Sequence, residues 1–324
     1  MTNSLTIVQS ALLAWFEQHR RDLPWRHTRD PYAILVSEIM LQQTQVDRVL
    51  PYWQAWMERW PTVHALAETP VAEVIRAWKG LGYNRRAVNL QRAAQAVVDR
   101  GGEFPDTVDG LMDLPGIGPY TAGAVACFAF EQDVAFIDTN MRRVLHRIFI
   151  GVDVPRPTVA DRAVLEIAAD AIPRGQGWTW NQAIMEFGAI HCTAKKPLCM
   201  ICPVQEQCSA FPEIQAALAA NGKVTRTKGI PFEETNRYFR GRILDELRAH
   251  EGEGVMLADV GSAVKVGFAS EDYPWLLELV TALERDGLLV IGDGAAAQVP
   301  VGAVAEEPAV YEAMPVEEIK VRLP

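Results

Sequence analysis

The sequence lacks a long apolar run and a basic leader, and each absence excludes a class of protein. Its 324 residues are 49% hydrophobic and 22% charged, which is typical of a soluble globular protein. No apolar stretch approaches the length of a membrane span. The opening segment has neither a positively charged start nor a small-residue cleavage site. We therefore expect no membrane association, a cytoplasmic location, and two or three compact units.

The alternation of polar and apolar residues that is typical of β-strands is also absent before residue 250. Helical spacing is frequent instead, as in the apolar stripe that begins with Leu5, Val8 and Leu12. Proline and glycine separate the helical segments. Helices are predicted over residues 4–20, 33–45, 47–59, 71–79, 84–99, 107–113, 140–150, 158–172 and 179–189, and one more follows Gly118 to about residue 130. The front part of the chain is therefore predicted to be all α-helical.

The last third of the chain has a different pattern. Residues 211–232 are predicted to form a polar linker. Residues 236–250 predict an amphipathic helix, and residues 271–294 predict a helix, a glycine turn and a short strand. This order is similar to a small winged-helix-like α/β module over residues 233–300, although a packing or dimerisation module is an equally good interpretation. The end, residues 301–324, is acidic and is expected to be mobile.

The net charge of −10 is confined to this C-terminal part. Residues 1–228 carry 23 Lys and Arg against 23 Asp and Glu, and residues 229–324 carry 8 against 18. A neutral front part can still present a basic face to nucleic acid. The candidates for such a face are Arg85, Arg86, Arg142, Arg143, Lys195 and Lys196. Because charged helix faces are more often simply solvated, these residues alone favour nucleic-acid binding only weakly.

Cysteine is scarce, yet four of the five cysteines lie within one short segment. They are Cys192, Cys199, Cys202 and Cys208. Four thiolates so close together favour zinc or an iron–sulfur cluster, since a disulfide network is improbable in the cytoplasm. A structural zinc site usually has two closely spaced cysteine pairs, and here only Cys199 and Cys202 are close. The spacing therefore modestly favours a [4Fe–4S] cluster over zinc. The fifth cysteine, Cys127, is predicted to be an inert core residue.

A glycine turn, LPGIG at residues 114–118, lies between two predicted helices. Gly116 and Gly118 give the backbone conformational freedom and let another backbone approach closely. The helix that follows offers N–H groups at its N-terminus, which suit a phosphate oxygen. The turn therefore predicts a hairpin that holds a nucleic-acid backbone, with Asp138 as a carboxylate close by.

These segments together resemble the helix-hairpin-helix DNA glycosylases of the endonuclease III superfamily, and most of all the MutY-type adenine DNA glycosylases. The resemblance covers about residues 10–210. It is carried by LPWR (23–26), SEIMLQQTQV (37–46), GLGY (80–83), LPGIGPYTAGA (114–124), IDTN (137–140) and the cysteine spacing. It implies a mainly α fold with a six-helix barrel domain over residues 27–140 and a cluster domain from residues 1–26 and 141–210. It also implies a [4Fe–4S] cluster on the four cysteines and double-stranded DNA bound between the two domains. We expect the chain to be a monomer.

The resemblance also implies roles for individual residues. Glu38 resembles the general acid that protonates N7 of a flipped adenine, and its apolar neighbours would raise its pKa. Asp138 would stay ionised and stabilise the sugar cation, and taken alone it would be a helix N-cap. Tyr120 and Asn140 resemble residues that orient Asp138 and the water or sugar by hydrogen bonding. Residues that match DNA contacts of the family are Gln42, Gln43, Thr44, Tyr83, Gly116 and Gly118.

Position 120 separates the two main branches of the superfamily. Bifunctional enzymes carry a lysine there, whose amine attacks the sugar, and the phenol of Tyr120 cannot form that Schiff base. Simple hydrolysis of adenine opposite 8-oxoguanine or guanine is therefore expected. Asn84 and Thr139 depart from the common family pattern, and we expect no Nudix-like domain after residue 229. A thymine or uracil mismatch glycosylase is the nearest alternative, and a non-catalytic iron–sulfur DNA-binding protein is an alternative of another class.

Overall fold

The computed structural model describes residues 2–221, 229–250, 252, 254–292 and 315–324. Its helices are α1 (Thr2–His19), α2 (Pro31–Leu41), α3 (Val46–Arg59), α4 (Val63–Glu68), α5 (Val71–Ala77), α6 (Arg85–Asp99), α7 (Val108–Met112), α8 (Pro119–Phe130), α9 (Thr139–Phe149), α10 (Asp161–Ala171), α11 (Gly177–Ile190), α12 (Glu213–Asn221), α13 (Asn236–Ala249), α14 (Leu257–Val264) and α15 (Tyr273–Arg285). Its strands are β1 (Val255–Met256), β2 (Val290–Ile291) and β3 (Lys320–Arg322). The mainly helical fold class is confirmed. Within these ranges no helix is long and apolar enough to cross a membrane.

The chain folds as two compact units. Unit 1 contains Met1–Glu38, Phe104–Asp113 and Ile117–Thr227, and unit 2 contains Ile39–Glu103, Leu114–Gly116 and Lys228–Pro324. The segment predicted as a barrel domain, residues 27–140, is therefore divided between the two units. The C-terminal module belongs to the same unit as helices α3 to α6.

In unit 1, helices α1 and α11 pack through an apolar core. Trp15 meets the ring of Phe187 edge to face, with their centroids 4.9 Å apart. The LPWR segment is fixed on the same helix, α11, by a buried ion pair. Arg26 donates to Glu186 at 2.8 Å and to Gln182 at 2.8 Å. Arg21 also pairs with Glu186, at 2.7 Å. Because Glu186 is only 1% exposed, its charge depends on these two arginines.

In unit 2, the C-terminal module shares its core with helices α5 and α6. Ile75 of α5 and Val88 of α6 are buried in one apolar cluster with Ile243 and Leu247 of α13. Arg248 at the end of α13 donates to the carbonyl of Ile75 at 3.0 Å. The module is therefore attached by packing and not by a linker alone.

The sheet of this module corrects the prediction for the end of the chain. Strand β3 is the central strand and pairs antiparallel with both β1 and β2. Val321 is fully buried and Leu323 is 7% exposed, so residues 320–324 are not a mobile tail. The prediction was wrong because strand pairing of this kind is non-local and the local composition is acidic. Residues 293–314 lie outside the described ones.

Three helices were not predicted, namely α4, α12 and α14. Helix α12 lies inside the predicted polar linker, where Ile214 is buried against the cysteine segment. Short helices of six to nine residues carry too few turns to show a clear period in sequence. The linker prediction is therefore wrong for residues 213–221.

Candidate active site

Helix α2 buries a carboxyl group, Glu38, which is 4% exposed. Ile34 and Leu35 on the preceding turn are also buried, at 2% each, so the side chain leaves an apolar helix. The hydroxyl of Tyr120 donates a hydrogen bond to Oε2 of Glu38 at 2.9 Å. Both residues belong to unit 1. The structure thus pairs two of the predicted site residues that lie far apart in sequence.

The environment of Glu38 changes its protonation. The pKa of Glu38 is raised from 4.5 to about 7, mainly by burial, and the negative charge of Asp138 contributes to the rise. The hydrogen bond from Tyr120 favours the ionised form and opposes part of this rise. A carboxyl with a pKa near neutrality can hold a proton and release it, which is what a general acid requires.

Tyr120 stands in the first turn of α8, which begins at Pro119 with Gly118 as its N-cap. Its ring meets Phe136 edge to face at 5.6 Å. Burial raises the pKa of Tyr120 well above 10, so the hydroxyl remains a donor. This donor faces Glu38. The expected hydrogen bond from Tyr120 to Asp138 is not among the hydrogen bonds of the described residues.

Asp138 lies at the N-cap of α9, as its position before Thr139 indicated. One carboxylate oxygen accepts from the N–H of Met141 at 2.7 Å, and the other accepts from the Asn140 side chain at 3.2 Å. Burial raises the pKa of Asp138, but both hydrogen bonds and the charge of Arg143 oppose this rise. Asn140 thus donates a hydrogen bond to Asp138, and its role in orienting this carboxylate stays a prediction.

Asn140 is in turn held by Arg143. The guanidinium of Arg143 donates to Oδ1 of Asn140 at 2.9 Å and to the carbonyl of Cys192 at 2.8 Å. Gly188 of α11 allows Asn140 to approach, since a Cβ on this glycine would lie 2.9 Å from the Asn140 Cβ. Hydrogen bonds therefore connect the carboxylate of Asp138 to the backbone of the cysteine segment.

The four clustered cysteines all line one cavity of unit 1, with Phe187, Val204 and Ile214 as apolar walls. The cysteines form no disulfide. Nη1 of Arg147 lies 3.7 Å from Sγ of Cys192 and supplies a positive charge beside that sulfur. In the described residues no three His, Cys, Asp or Glu side chains are placed to hold one metal ion. Four thiols that line one cavity are the donor set that an iron–sulfur cluster requires.

The fifth cysteine behaves as predicted. Cys127 is fully buried in α8, and its sulfur accepts a hydrogen bond from Asn181 at 3.3 Å. Burial raises the pKa of Cys127 to about 12, so the thiol is inert.

The two hairpin glycines differ in backbone conformation and in the space around them. Gly116 has a φ of +75°, and a Cβ there would lie 2.7 Å from the Cβ of Asn89, so only glycine fits. Gly118 caps α8 and has open space around it, with nothing within 4 Å of a built Cβ. Its open N-terminal helix turn suits an approaching phosphate.

In unit 2, Gln43 and Tyr83 both have left-handed backbone conformations, with φ of +56° and +47°. These are two of the three non-glycine residues with positive φ in the described chain, and both were predicted to contact DNA. Such conformations cost about 1–3 kcal/mol each and are frequent at functional sites. We call the turns that carry them, residues 42–45 and 80–84, the wedge loops. Tyr83 is 40% exposed.

One buried arginine holds both wedge loops. Arg86 is 9% exposed and donates to the carbonyls of Gln42 and Gly82, to three further carbonyls and to the hydroxyl of Thr44. Burial lowers the pKa of Arg86 to about 10, which keeps it charged at neutral pH. The prediction that Arg86 and Arg143 form a basic surface is therefore wrong, because both guanidinium groups are committed to the protein backbone. Lys195 and Lys196 do lie exposed within the cysteine segment.

Sequence reasoning missed the structural roles of Arg26, Arg86 and Arg143. Each was visible as an arginine beside a motif, in LPWR, after GLGY and after IDTN. What the sequence could not give was the set of acceptors, since each of the three arginines bonds to at least one group more than 40 positions away along the chain.

Two family models match the chain. The HhH-GPD superfamily of base excision DNA repair proteins matches residues 36–169, and the iron-sulfur binding domain of endonuclease III matches residues 192–208. These matches contain the carboxylates and the four cysteines described above. The chain accordingly carries a [4Fe–4S] cluster, and the matched segment contains all four clustered cysteines.

Relatives of known activity cover most of the helical part. An adenine DNA glycosylase of Mycolicibacterium smegmatis is 45% identical over 250 residues, which are 75% of this chain and 81% of that protein. The adenine DNA glycosylase of Mus musculus is 43% identical over 65% of this chain. The match spans 43% of the mouse protein's length.

Solved structures show the same fold. A thermostable thymine-DNA glycosylase superposes with a TM-score of 0.61 and 34% identity over 65% of this chain and 98% of that one. A trapped endonuclease III–DNA covalent intermediate superposes with a TM-score of 0.56 and 25% identity over 64% of this chain and 95% of that one. The chain therefore belongs to the HhH-GPD superfamily of base excision DNA repair proteins and, within it, to the adenine DNA glycosylase family.

Proposed function

We propose that this chain excises adenine opposite 8-oxoguanine or guanine in duplex DNA by hydrolysing its N-glycosidic bond. The observation that carries the proposal is the hydrogen bond from Tyr120 to the buried carboxyl of Glu38, whose pKa is about 7. Adenine leaves a deoxyribose poorly as an anion, so its ring must receive a proton as the bond stretches. Glu38 is the group that would deliver this proton, at N7.

Asp138 would act on the sugar. The oxocarbenium-like transition state carries positive charge, which an ionised carboxylate stabilises electrostatically or by a transient bond to C1′. The hydrogen bonds from Met141 and Asn140 favour the ionised form of Asp138. The two carboxyl groups would thus divide the work, with the proton on Glu38 and the charge on Asp138.

Tyr120 favours simple hydrolysis over strand cleavage. A bifunctional glycosylase uses an amine to form a Schiff base with the sugar, and a phenol cannot do this. The hydroxyl of Tyr120 is instead used as a donor to Glu38. We infer a monofunctional enzyme that leaves an intact abasic site.

DNA would be held by backbone and wedge contacts. The hairpin at Gly116 and Gly118 would bind a phosphate through N–H groups. Flipping a base needs a side chain that distorts the stack, and the exposed ring of Tyr83 and the side chain of Gln43 suit that purpose. Gln42 and Thr44 would make neighbouring contacts. The cluster on the four cysteines would brace the loop that carries Lys195 and Lys196, as a structural element.

A thymine mismatch glycosylase is the second candidate. It is favoured by the likeness to the thermostable thymine-DNA glycosylase, which this chain covers almost completely. The adenine reading is supported by higher identity to adenine DNA glycosylases, at 45% and 43%, and by Glu38. We further infer that the chain acts as a monomer, and that it lies in the cytoplasm, where cysteines stay reduced and able to bind a cluster.

The test uses purified holoprotein and three labelled duplexes, with adenine opposite 8-oxoguanine, adenine opposite guanine, and thymine opposite guanine. We expect release of adenine from the first two, and strand breakage only after treatment with alkali. Release of thymine instead of adenine would establish the second candidate. Strand breakage without alkali would contradict the monofunctional mechanism. The variant Asp138→Asn should bind the duplexes and fail to turn over.

A further inference from the structure

The C-terminal module places an arginine on the predicted wedge residue. The guanidinium carbon of Arg237, in the first turn of α13, lies 4.1 Å from the centroid of the Tyr83 ring. A second aromatic ring, Phe232, lies 5.9 Å from the same guanidinium. Phe232 is 53% exposed, Arg237 is exposed and Tyr83 is 40% exposed. We call these three side chains the aromatic–arginine cluster, and all of them belong to unit 2.

Arg237 differs from the other arginines of α13 in its partners. Arg240 pairs with Asp286, and Arg242 donates to the carbonyl of Ala263. Arg248 is 5% exposed and donates to the protein backbone. Arg237 has no carboxylate and no carbonyl acceptor within the part of the chain that the structure describes. Its five N–H groups are therefore available to a ligand.

Attachment of the module does not explain the position of Arg237. Helix α13 is fixed to helices α5 and α6 by the buried side chains of Ile243 and Leu247, and by the hydrogen bonds of Arg248. An exposed cation–π contact contributes about 0.5–1 kcal/mol, which is small beside this packing. A planar cation over an exposed ring is a common arrangement for stacking on nucleic-acid bases and for bonding to their oxygens.

The local charge also fits DNA although the module as a whole is acidic. The nearest acidic residues along the chain, Glu233 and Glu234, are exposed, and they form no ion pair with Arg237 in the described residues. Two guanidinium groups lie over the ring of Tyr83, since Arg86 is 5.5 Å from its centroid. The surface around the Tyr83 ring in unit 2 is therefore locally positive, because of these two guanidinium groups.

We propose that Arg237 is a DNA-contacting residue that acts with Tyr83, so that the C-terminal module takes part in lesion recognition. This rests on the proposed function, in which Tyr83 enters the base stack. The ligand is an acceptor oxygen of the strand opposite the excised base. It belongs either to the edge of the opposing purine or to a neighbouring phosphate, and a guanidinium can bind both.

The test compares Arg237→Ala with Arg285→Ala in the full-length holoprotein. Arg285 is an exposed arginine of the same module, at the end of α15, and makes no contact with Tyr83 or Phe232 in the described structure. Binding is measured by fluorescence anisotropy on duplexes that carry a non-hydrolysable adenosine analogue opposite 8-oxoguanine, guanine or thymine. Because binding is read without excision, its outcome does not depend on whether adenine is released.

We expect Arg237→Ala to weaken binding about tenfold, the equivalent of one stacked, hydrogen-bonded group, and Arg285→Ala to leave it unchanged. A loss confined to the 8-oxoguanine duplex would place the contact on the base edge. An equal loss on all three duplexes, with a smaller salt dependence, would place it on a phosphate. The variant Arg237→Lys should recover the phosphate contact but not the base contact.

Wild-type binding by Arg237→Ala would overturn the inference while leaving adenine excision untouched. A fall in the thermal unfolding midpoint that accounts for the lost affinity would also overturn it, because Arg237 would then be a structural residue. Failure of the wild type to release adenine would count against the proposed function alone.

Discussion

The carboxylate pocket of unit 1 and the wedge loops of unit 2 are built in opposite ways. In the pocket, defined by Glu38, Tyr120 and Asp138, the first is buried, the other two are half-buried, and side-chain hydrogen bonds hold all three. In the wedge loops the functional side chains are exposed, and the backbone that carries them is held from below by Arg86. In the pocket, the destabilising free energy comes from the ionisation of Glu38, which burial opposes. In the wedge loops, it comes from the left-handed backbone conformations of Gln43 and Tyr83.

This difference indicates how each region will respond to mutation. Changes in the pocket should alter the chemical step and leave DNA binding intact. Substitution of Arg86, which supports the wedge loops, should lower DNA affinity and protein stability together. The reason is that the exposed side chains of Gln43 and Tyr83 stand on a strained backbone, which this arginine holds. The four predictions that follow test this division, in order of decreasing effect.

The first and largest effect is expected for Glu38→Gln. The amide keeps the shape of the side chain and can accept the hydrogen bond from Tyr120, but it cannot deliver a proton. Loss of a general acid lowers a rate by about 10²–10⁴, so single-turnover excision of adenine should fall by about a thousandfold. The anisotropy-based Kd for the same duplex should stay within about twofold of wild type, well under 1 kcal/mol. A large loss of binding would break the comparison, because the pocket would then contribute to recognition.

The second prediction concerns Arg86→Met, which keeps volume and removes the guanidinium. It leaves several buried carbonyl groups without their donor, and breaking a buried charged network of this kind costs about 3–5 kcal/mol. Urea unfolding should report this loss. Duplex affinity should fall as well, since the loops that carry Gln43 and Tyr83 lose their common support.

Arg86→Lys is the matched control for this variant. Lysine retains the charge but presents a single ammonium group, which cannot reach the carbonyls of both loops at once. We expect it to recover only part of the stability. If Arg86→Met has the stability and the DNA affinity of the wild type, the wedge loops keep their conformation without Arg86. The proposed difference between the two regions would then be wrong.

The third prediction is a pH dependence that only the pocket should have. The pKa of Glu38 is raised from 4.5 in the unfolded chain to about 7 in the fold, so the folded protein holds this proton more tightly. Stability from this group is therefore complete below pH 4.5 and is lost as the pH rises through about 7. Above pH 7 the free energy of unfolding is lower by about 3 kcal/mol, because each unit of the rise in pKa from 4.5 to about 7 corresponds to 1.36 kcal/mol.

Glu38→Gln should remove this pH-dependent loss of stability, because the amide of glutamine does not ionise. The variant should equal wild type in urea unfolding at pH 4.5 and exceed it by about 3 kcal/mol at pH 8 or above. The wild-type excision rate should fall about tenfold per unit above pH 7, because only the protonated acid is active. Equal stability of variant and wild type at pH 8 would mean that the carboxyl is ionised without penalty, and the general-acid role would lose its support.

How far the sequence alone could predict these regions follows from the kind of contact involved. Glu38 and Tyr120 could be named because they lie in motifs of the family that the chain resembles, and the four cysteines because their number and spacing favour a metal centre. Arg86 and Arg143 were assigned to a basic surface, since nothing in the local sequence indicates backbone carbonyls as their acceptors.

The same reason explains the errors in the fold. The helices with several turns were predicted within a few residues, because their period is local. Strand β3 was assigned to a mobile tail, because its partners β1 and β2 lie tens of residues away. The aromatic–arginine cluster joins Tyr83 to residues of α13 and its approach, and no pattern in the sequence relates positions so far apart.

The smallest predicted effect is for Gly188→Ala, which tests how finely the pocket is positioned. The new methyl group would lie 2.9 Å from Cβ of Asn140 and 3.1 Å from its carbonyl oxygen, so Asn140 must move by a few tenths of an ångström. Its hydrogen bond to Asp138, already 3.2 Å long, should weaken, and adenine excision should slow by about tenfold through loss of positioning. Gly241→Ala is the matched control, because a Cβ on this helical glycine would meet nothing within 4 Å. That variant should gain about 0.5–1 kcal/mol of stability from helix propensity and keep the wild-type rate. If Gly188→Ala excises adenine as fast as Gly241→Ala, the contact between α9 and α11 does not set the position of Asp138, and the pocket is less rigid than its hydrogen bonds indicate.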